Sequence, residues 1–286
     1  MANNYDGYIS SCVFSSISAT ACSYALFLNY RRNKLLRTTE SNLILILTLF
    51  YLLASIFSLI PGPIEGSITC KAQTALVVFT ALGGILWTGY IALYMYIKCY
   101  KENSGFYNGI LIPVSIVLLF CTLSTALPLG FDDYGHGPGS GWCWIKVSGD
   151  HQKRHLDFVF VYVLYYIPVW IVIFWNMYAY IKIIKKVNEQ FRTSEGKELS
   201  RSLIWYPFIA FVFYLPQSLS RFIETGHYSQ RNDIPLDFTN FKIFACCWIR
   251  LLGFANSVAY GITGHFQARQ NYSTPPTVEN NIKNLA

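Results

Sequence analysis

Long runs without charge constrain this chain more than any other feature of its sequence. Six runs of 19 to 29 residues contain no Asp, Glu, Lys or Arg, and a seventh, residues 243–268, contains only Arg250. Because a helix of about 20 residues crosses the roughly 30 Å hydrocarbon core of a bilayer, each run is long enough to be a transmembrane helix. The sequence therefore predicts an all-α membrane protein, a bundle of seven transmembrane helices. The six charge-free runs are 8–30, 41–64, 72–97, 103–131, 158–181 and 202–220.

The composition supports this assignment, and we expect the chain to form a single domain. Hydrophobic residues make up 53% of the chain and charged residues 13%, which is far from the composition of soluble proteins. We predict one seven-transmembrane domain over residues 1–268 and a short, disordered cytoplasmic tail over residues 269–286. The "ALGGILW" segment, residues 81–87, predicts close packing between helices. The predicted spans are about 8–30, 41–62, 70–98, 106–128, 157–184, 202–223 and 242–266.

The distribution of Lys and Arg predicts the orientation of the chain. The segments after spans 1, 3 and 5, together with the tail, hold fourteen of these residues, and the other connecting segments hold seven. Since cytoplasmic loops carry the excess of Lys and Arg, we predict the amino terminus outside and the carboxyl terminus in the cytoplasm. Membrane topology then accounts for the net charge of +7. We expect the lipid bilayer to be a partner of the chain, and we expect no binding of nucleic acid.

Eight cysteines are present, and their predicted depths separate one pair from the rest. The other six lie within predicted spans or at the inner end of span 3. Cys70, at the outer end of span 3, and Cys143, in the loop between spans 4 and 5, both lie on the oxidising side. We predict a disulfide between them, and the alternative is two free thiols.

Three short features resemble one family of receptors. They are the "GWCWI" sequence around Cys143, the cysteine that opens span 3, and the "LLGFANSVAYG" sequence in span 7. Together they are similar to the slime-mould cyclic-AMP receptors, the class E G-protein-coupled receptors, over residues 8 to about 268. The resemblance implies a seven-helix receptor in the plasma membrane, with a disulfide between span 3 and the loop. It also implies a small extracellular ligand, such as cyclic AMP or another small anion, and activation of a heterotrimeric G protein from the inner face.

Two other functions compete with that of a receptor. A transporter that couples to protons or cations is expected to carry carboxylates near mid-membrane, and the charge-free runs contain none. A retinal protein needs a lysine within a helix, and residues 243–268 contain no lysine. We therefore favour a receptor, with a seven-span transporter or channel for a small solute as the alternative.

No cluster of residues in the sequence suggests catalysis. Four of the five histidines lie in predicted outer loops, and the fifth lies at the inner end of span 7. No nucleophile or metal-ligand spacing accompanies them, so we expect no enzymatic activity, no metal site and no cofactor. A zinc site built from the loop histidines is the alternative.

Arg250 is the one charge within the seven charge-poor runs. It lies eight residues, or about 12 Å, into span 7, where a guanidinium is costly unless it is paired or hydrated. It could pair with an anionic group of the ligand or an outer-loop acid, form a hydrogen-bonded hub with Ser, Tyr and carbonyl groups, or extend to the surface. The outer-loop acids considered are Glu65, Asp132 and Asp133.

Further candidate residues follow from their predicted positions. Gly253 and Asn256 share a sector of span 7 with Arg250, and Tyr260 follows Asn256 by four residues on the same helix face. We expect Gly253, Asn256 and Tyr260 to form a network with neighbouring helices, and local packing is the alternative. The ligand-binding candidates are Arg250, Trp87, Trp144, Lys146 and Tyr166.

A basic segment connects spans 5 and 6 on the predicted inner side. It covers residues 180–206, carries lysines at helical spacing and contains Gly196, where the helix is expected to break. A helix of a G protein could enter here when spans 5 and 6 separate. The positive charge of cytoplasmic loops explains the same lysines without a partner. The candidate G-protein contacts are Lys98, Lys182, Lys185, Lys186 and Arg201.

Overall fold

The structure, a computed structural model, describes most of the chain as helix. The described residues are 2–33, 39–60, 67–100, 110–136, 143–146, 156, 158–190, 194–230, 236–259 and 261. The predicted tail lies outside them. Seven helices are found in this part of the chain: α1 (Ala2–Asn33), α2 (Thr39–Ser58), α3 (Ile68–Tyr100), α4 (Leu111–Gly130), α5 (π-helical over Val159–Tyr166 and α-helical over Ile167–Gln190), α6 (Ser194–Gln230) and α7 (Leu236–Arg250, with further helical residues to 259). The strands are β1 (Tyr134–His136) and β2 (Cys143–Ile145).

Five helices contain segments that are long and apolar enough to cross a membrane. These segments are Gly7–Arg31, Ile68–Tyr100, Leu111–Gly130, Val159–Lys186 and Phe238–Ala259. α2 adds a shorter apolar segment, Asn42–Ser58. Apolar side chains also face outward, since Leu111 and Ile112 of α4 are 79% and 71% exposed. An apolar exterior of this kind suits a bilayer, and the structure therefore has the helices of a membrane protein.

α3 lies at the centre of the bundle and contacts α2, α4, α5 and both strands. Its buried face includes Leu82 and Trp87, neither of which has measurable exposure. Gly84 allows α2 to approach closely, because a Cβ at this position would lie 2.9 Å from the Tyr51 ring. The close packing predicted for residues 81–87 is confirmed.

The first and last helices close the bundle. α1 packs against both α2 and α7, and α6 packs between α5 and α7. Contacts between the start of one helix and the end of a neighbour show that successive helices run in opposite directions. The starts of α3, α5 and α7 carry Lys71, Tyr162 and Lys242, which contact Asp132 after α4, Arg221 of α6 and Glu224 of α6. At this same end of the bundle, the Tyr8 hydroxyl near the start of α1 donates a hydrogen bond to the carbonyl of Ile60, just after α2, at 3.1 Å. We call this end, where both strands lie, the hairpin end.

The two strands form a hairpin that the predicted disulfide ties to α3. β1 and β2 pair in antiparallel register. Cys143 at the start of β2 is bonded to Cys70 near the start of α3, with their Cα atoms 5.5 Å apart. The buried Tyr134 hydroxyl donates to the Thr125 carbonyl at 3.0 Å, and burial raises the pKa of this phenol above its ordinary value. Both attachments hold the hairpin over the end of the bundle.

Candidate ligand-binding cavity

A cavity of about 60 Å³ lies inside the bundle near the hairpin end. Residues of α2, α3, α5, α6, α7 and β2 form its wall. Most of the lining side chains are aromatic or apolar, and the polar ones include two arginines, Arg221 and Arg250, and the amide of Gln217. An apolar wall with a few converging polar groups is typical of small-molecule sites.

Arg250 faces the interior of the bundle. It lines the cavity, and its Nη1 donates a hydrogen bond to the Ser58 hydroxyl at the end of α2. Its Nε is buried and has no hydrogen-bond partner among the described residues. The interpretation that this side chain extends to the outer surface is therefore wrong. The bond to Ser58 belongs to a hydrogen-bonded hub, whereas the unpartnered Nε leaves a donor for a ligand.

Arg221 of α6 is a second arginine in the cavity wall, and sequence reasoning missed it. The residue is only 1% exposed. Its Nη1 donates to Oε2 of Glu224 at 2.6 Å, and its Nε and Nη2 have no partner in the described part of the chain. The guanidinium carbon lies 5.5 Å from the centre of the Trp144 ring, which is within the range of a cation–π contact.

Glu224 links α6 to α7 through buried charges. Its Oε1 accepts a hydrogen bond from Nζ of Lys242 at 2.5 Å, and both side chains are at most 2% exposed. We call Arg221, Glu224 and Lys242 the ion cluster. Together with Arg250, it contains three cations and one carboxylate. Of these residues, Arg221 and Arg250 line the cavity, and two guanidinium groups in its wall make it favourable for an anion.

Trp144 brings the hairpin into the cavity wall. It follows the disulfide-bonded Cys143, and its ring packs edge-on against Tyr165 with the centroids 5.4 Å apart. Its indole Nε1 is buried and has no partner among the described residues. Tyr165 comes from the π-helical turn of α5, an irregularity that is frequent at functional sites. The disulfide therefore positions one wall of the cavity.

The other three ligand-binding candidates are not among the residues that line this cavity. Trp87 is six residues, or about 9 Å, farther along α3 than Ala81, and its Nε1 donates to the Leu43 carbonyl at 2.8 Å. Lys146 follows β2, where its backbone N–H donates to the Asp133 carbonyl at 2.7 Å. Tyr166 lines a separate apolar groove between α5 and α6. Trp87 and Lys146 thus have contacts within the fold, and their role in ligand binding stays a prediction.

Two of the three outer-loop acids lie in the described turn before β1. Asp132 forms an ion pair with Lys71 at 2.5 Å, and Asp133 lies beside it in the turn before β1. Glu65 lies outside the described residues. Glu224 is a buried carboxylate close to the cavity, and it pairs with Arg221 and Lys242.

The predicted network in α7 is a region of close helix contact. A Cβ at Gly253 would lie 3.0 Å from Sγ of Cys22 and 3.2 Å from Cβ of Tyr51. Asn256 is 5% exposed and lies beside Tyr51. Tyr260 lies outside the described residues. Gly253 thus faces α1 and α2, Asn256 lies beside α2, and both the network and local packing stay predictions.

Several lysines of α3 and α5 lie together at the end opposite the hairpin. The Tyr100 hydroxyl donates to the Lys182 carbonyl at 3.1 Å, and the ammonium of Lys186 lies 5.8 Å from the centre of the Tyr100 ring. The Arg201 side chain lies outside the described residues. We call Lys98, Lys182, Lys185 and Lys186 the basic end surface.

Comparison with known proteins gives one similarity of note. No family model matches the chain. The chain is 27% identical over 260 residues to Cyclic AMP receptor-like protein A of Dictyostelium discoideum. The aligned region covers 88% of this chain and 63% of that protein, so the chain spans about 63% of the length of this curated relative. The similarity confirms the resemblance to the slime-mould cyclic-AMP receptors that the sequence motifs indicated.

Proposed function

We propose that this chain is a G-protein-coupled receptor of the plasma membrane. A small extracellular ligand, cyclic AMP or another small anion, would enter the cavity at the hairpin end. A heterotrimeric G protein would bind at the opposite end and become activated. The name of the similar Dictyostelium protein, cyclic AMP receptor-like, supports this class of function. The observation that carries the proposal is the cavity itself, in which two arginines retain unpartnered donors.

The proposed topology has all seven helices crossing the bilayer with the amino terminus outside. The excess of Lys and Arg after α1, α3 and α5 supports this orientation. The disulfide supports it as well, because Cys70 and Cys143 then lie in an oxidising compartment. The hairpin end is extracellular in this arrangement, and the basic end surface is cytoplasmic.

The proposed signal passes through α6 and α7. Both helices contribute an arginine to the cavity, and the ion cluster joins them near the hairpin end. A ligand that binds one arrangement of these helices more tightly shifts the population toward it. Separation of α5 and α6 at the basic end surface would then admit the G protein.

A transporter is the second candidate, and Glu224 is the feature that favours it. Buried carboxylates inside membranes often mark proton or cation pathways. Glu224, however, lies near the end of α6 and pairs with two cations within 2.6 Å, which suits a structural role better. Measuring uptake of labelled solutes in cells that express the chain separates this function from that of a receptor.

The test of the receptor proposal is a panel of reporter cells that express the chain with one G-protein α-subunit at a time. Cyclic nucleotides, sugars and organic acids are added, and dissociation of the G protein is measured. We expect at least one anionic compound to activate one G protein. Solute uptake without a response from any G protein would replace this proposal with the transporter.

The basic end surface provides a variant for the same assay. Lys185→Ala combined with Lys186→Ala should reduce activation of the G protein at an unchanged surface level, because the proposed contact loses two cations. Arg31→Ala is a matched control, since Arg31 is a cation near the same end that packs on Phe27 of α1. Equal signalling by the double variant and the control would assign these lysines to membrane topology.

A further inference from the structure

The apolar groove between α5 and α6 is a second recess in the bundle, and it shares no lining residue with the cavity. Residues between 162 and 174 of α5 form one wall, and residues between 215 and 222 of α6 form the other. We call this recess the α5–α6 groove. Its volume is about 410 Å³, within the roughly 300–1,000 Å³ of sites that hold small molecules.

The α5–α6 groove opens on a side of the bundle that is apolar on both walls. Ile171 of α5 is 63% exposed, and Phe222 of α6 is 71% exposed. The α5 residues of the groove all lie within Val159–Lys186, a segment that is long and apolar enough to cross a membrane. Apolar side chains exposed at this level face the bilayer, so the occupant available to the groove is a membrane lipid.

Aromatic rings line the α5 wall from one end to the other. Tyr162, Tyr166, Trp170 and Phe174 follow one another at intervals of four residues. The ring centroids lie 6.1 Å apart for the first pair and 5.6 Å apart for the last. The row covers 12 residues, or roughly 18 Å at the rise of an α-helix, and one leaflet of the hydrocarbon core is about 15 Å thick. A rigid ring system loses less conformational freedom against this wall than a flexible acyl chain does.

Two polar side chains in the middle of the groove are bonded within the protein. The indole Nε1 of Trp170 donates to the Ser218 hydroxyl at 3.0 Å, and Ser218 donates to the Tyr214 carbonyl at 2.8 Å. The Tyr166 hydroxyl is buried beside Gln217, a residue of the cavity wall, so Tyr166 presents its ring to the groove. The middle of the groove therefore suits the apolar part of a ligand.

Tyr162 and Thr225 form a polar pair at the hairpin end of the groove. Their hydroxyl oxygens lie 2.8 Å apart, and they lie 3.1 Å and 2.9 Å from the Arg221 carbonyl oxygen. Each hydroxyl has one hydrogen, and these contacts use both, so the pair retains acceptor capacity only. A ligand that donates one O–H fits this end, whereas the ester and phosphodiester groups of phosphatidylcholine only accept.

We propose that the α5–α6 groove binds a membrane sterol. The sterol hydroxyl donates to the Tyr162 oxygen at the hairpin end, and the ring system packs along the aromatic row. A sterol carries one hydroxyl at the end of a rigid apolar body, which matches a groove with one polar end. The site rests on α5, α6 and the bilayer, and it does not depend on the proposed receptor function.

The experiment uses the full chain in nanodiscs of phosphatidylcholine that contain a rising mole fraction of photoreactive cholesterol. Irradiation attaches the probe where it is bound, and mass spectrometry of the peptides identifies the labelled residues. We expect saturable labelling within residues 162–174 and 215–222. Cholestanol should displace the probe, and cholestane, which differs only in lacking the hydroxyl, should require about threefold to tenfold more.

Two variants change the groove, and one control changes α6 elsewhere. Phe222→Ala should raise the half-saturating cholesterol fraction about fivefold to tenfold, because the ring system loses an aromatic contact. Tyr162→Phe removes the acceptor but keeps the ring, so the potency of cholestanol should fall about threefold to tenfold and that of cholestane should not change. Phe208→Ala should leave labelling unchanged, since Phe208 is a 51% exposed phenylalanine of α6 that does not line the groove.

Three outcomes would overturn the sterol site. Equal displacement by cholestanol and cholestane would mean that any apolar chain fills the groove. Absence of label from both helices at every cholesterol fraction would leave the groove to a phospholipid chain or to a helix of a second copy. Equal labelling of Phe222→Ala and Phe208→Ala would place the probe elsewhere. If Tyr162→Phe fails to fold, the two displacing sterols and Phe222→Ala still decide the question, and failure of the G-protein assay leaves all these results unaffected.

Discussion

Glu224 is the residue on which the charge balance of the cavity depends. It is 1% exposed and accepts hydrogen bonds from both Arg221 and Lys242. Removing one member of a buried ion pair leaves the remaining charge without compensation, which costs far more than the pair itself contributes. The stability of the bundle should therefore depend strongly on this carboxylate.

We expect Glu224→Gln to lower the free energy of unfolding by about 3–5 kcal/mol, because two buried cations then lose the carboxylate charge that they share. Thermal unfolding of the purified protein measures this change. Asp132→Asn is the matched control, since Asp132 also pairs with a lysine at 2.5 Å but its side chain is 66% exposed. An exposed pair contributes about 0–1 kcal/mol. Similar unfolding temperatures for the two variants would contradict the structural role of the ion cluster.

The sequence identified one of the two arginines of the cavity. Arg250 was recognisable because it interrupts an apolar run, and its depth followed from the helical rise. Arg221 falls just after a charge-free run that ends at residue 220, so it counts as a loop charge in the sequence. Its i,i+3 spacing from Glu224 was the available indication of a helical pair. The contact with Lys242 depends on the packing of α7 against α6, which no local pattern encodes.

At the scale of elements, the hairpin is the part of the fold that brings a loop residue into the cavity. The disulfide joins residues 73 positions apart and holds β2 against the start of α3. Trp144 follows Cys143 directly, so its position depends on this bond. Restricting the loop limits the conformations of the unfolded chain and also fixes one wall of the cavity.

We expect Cys143→Ser to destabilise the protein by about 2–4 kcal/mol, the usual contribution of a disulfide that closes a long loop. The measurement is thermal unfolding of the purified protein, with peptide mapping under non-reducing conditions to detect the linked peptides of Cys70 and Cys143. Cys12→Ser, which removes a free thiol of α1, should have little effect. Alkylation of Cys70 and Cys143 without prior reduction would show that the bond is not formed in solution.

The helices could be predicted from sequence more completely than the hairpin. Span 3 was predicted over residues 70–98, and α3 covers Ile68–Tyr100, because an uncharged apolar run has a direct physical meaning in a membrane. α6 covers Ser194–Gln230, so it extends beyond the predicted residue 223, and Gly196, where a break is expected from the sequence, lies within the helix. The strands were not predicted, because each has only three residues and lies in a segment rich in glycine.

At the scale of the whole molecule, the proposed sites lie at opposite ends of the bundle. The cavity wall includes Ala81 of α3, and Lys98 of the basic end surface follows it by 17 residues, which corresponds to about 26 Å along the helix. A receptor needs this separation, because the ligand and the G protein lie on different sides of the membrane. The orientation of the chain is therefore a prediction on which the proposed function depends.

We expect a tag after Ala286 to be labelled by antibody only in permeabilised cells, because the Lys and Arg excess places the carboxyl terminus in the cytoplasm. A second tag ahead of Met1 should be labelled on intact cells and serves as the internal control. The reverse pattern would turn the hairpin end toward the cytoplasm and rule out an extracellular ligand site there.

The most direct test of the account measures G-protein dissociation against concentration for the compound of the reporter panel that gives the largest response. The native chain is compared with Arg250→Gln and Arg250→Lys at matched surface expression, with Lys71→Gln as the control. Loss of a charged hydrogen bond in the cavity predicts a shift to about tenfold to a hundredfold higher concentrations for both Arg250 variants and none for the control. Curves that coincide for all four proteins, or the absence of a response to every compound, would contradict a receptor whose ligand binds in the two-arginine cavity.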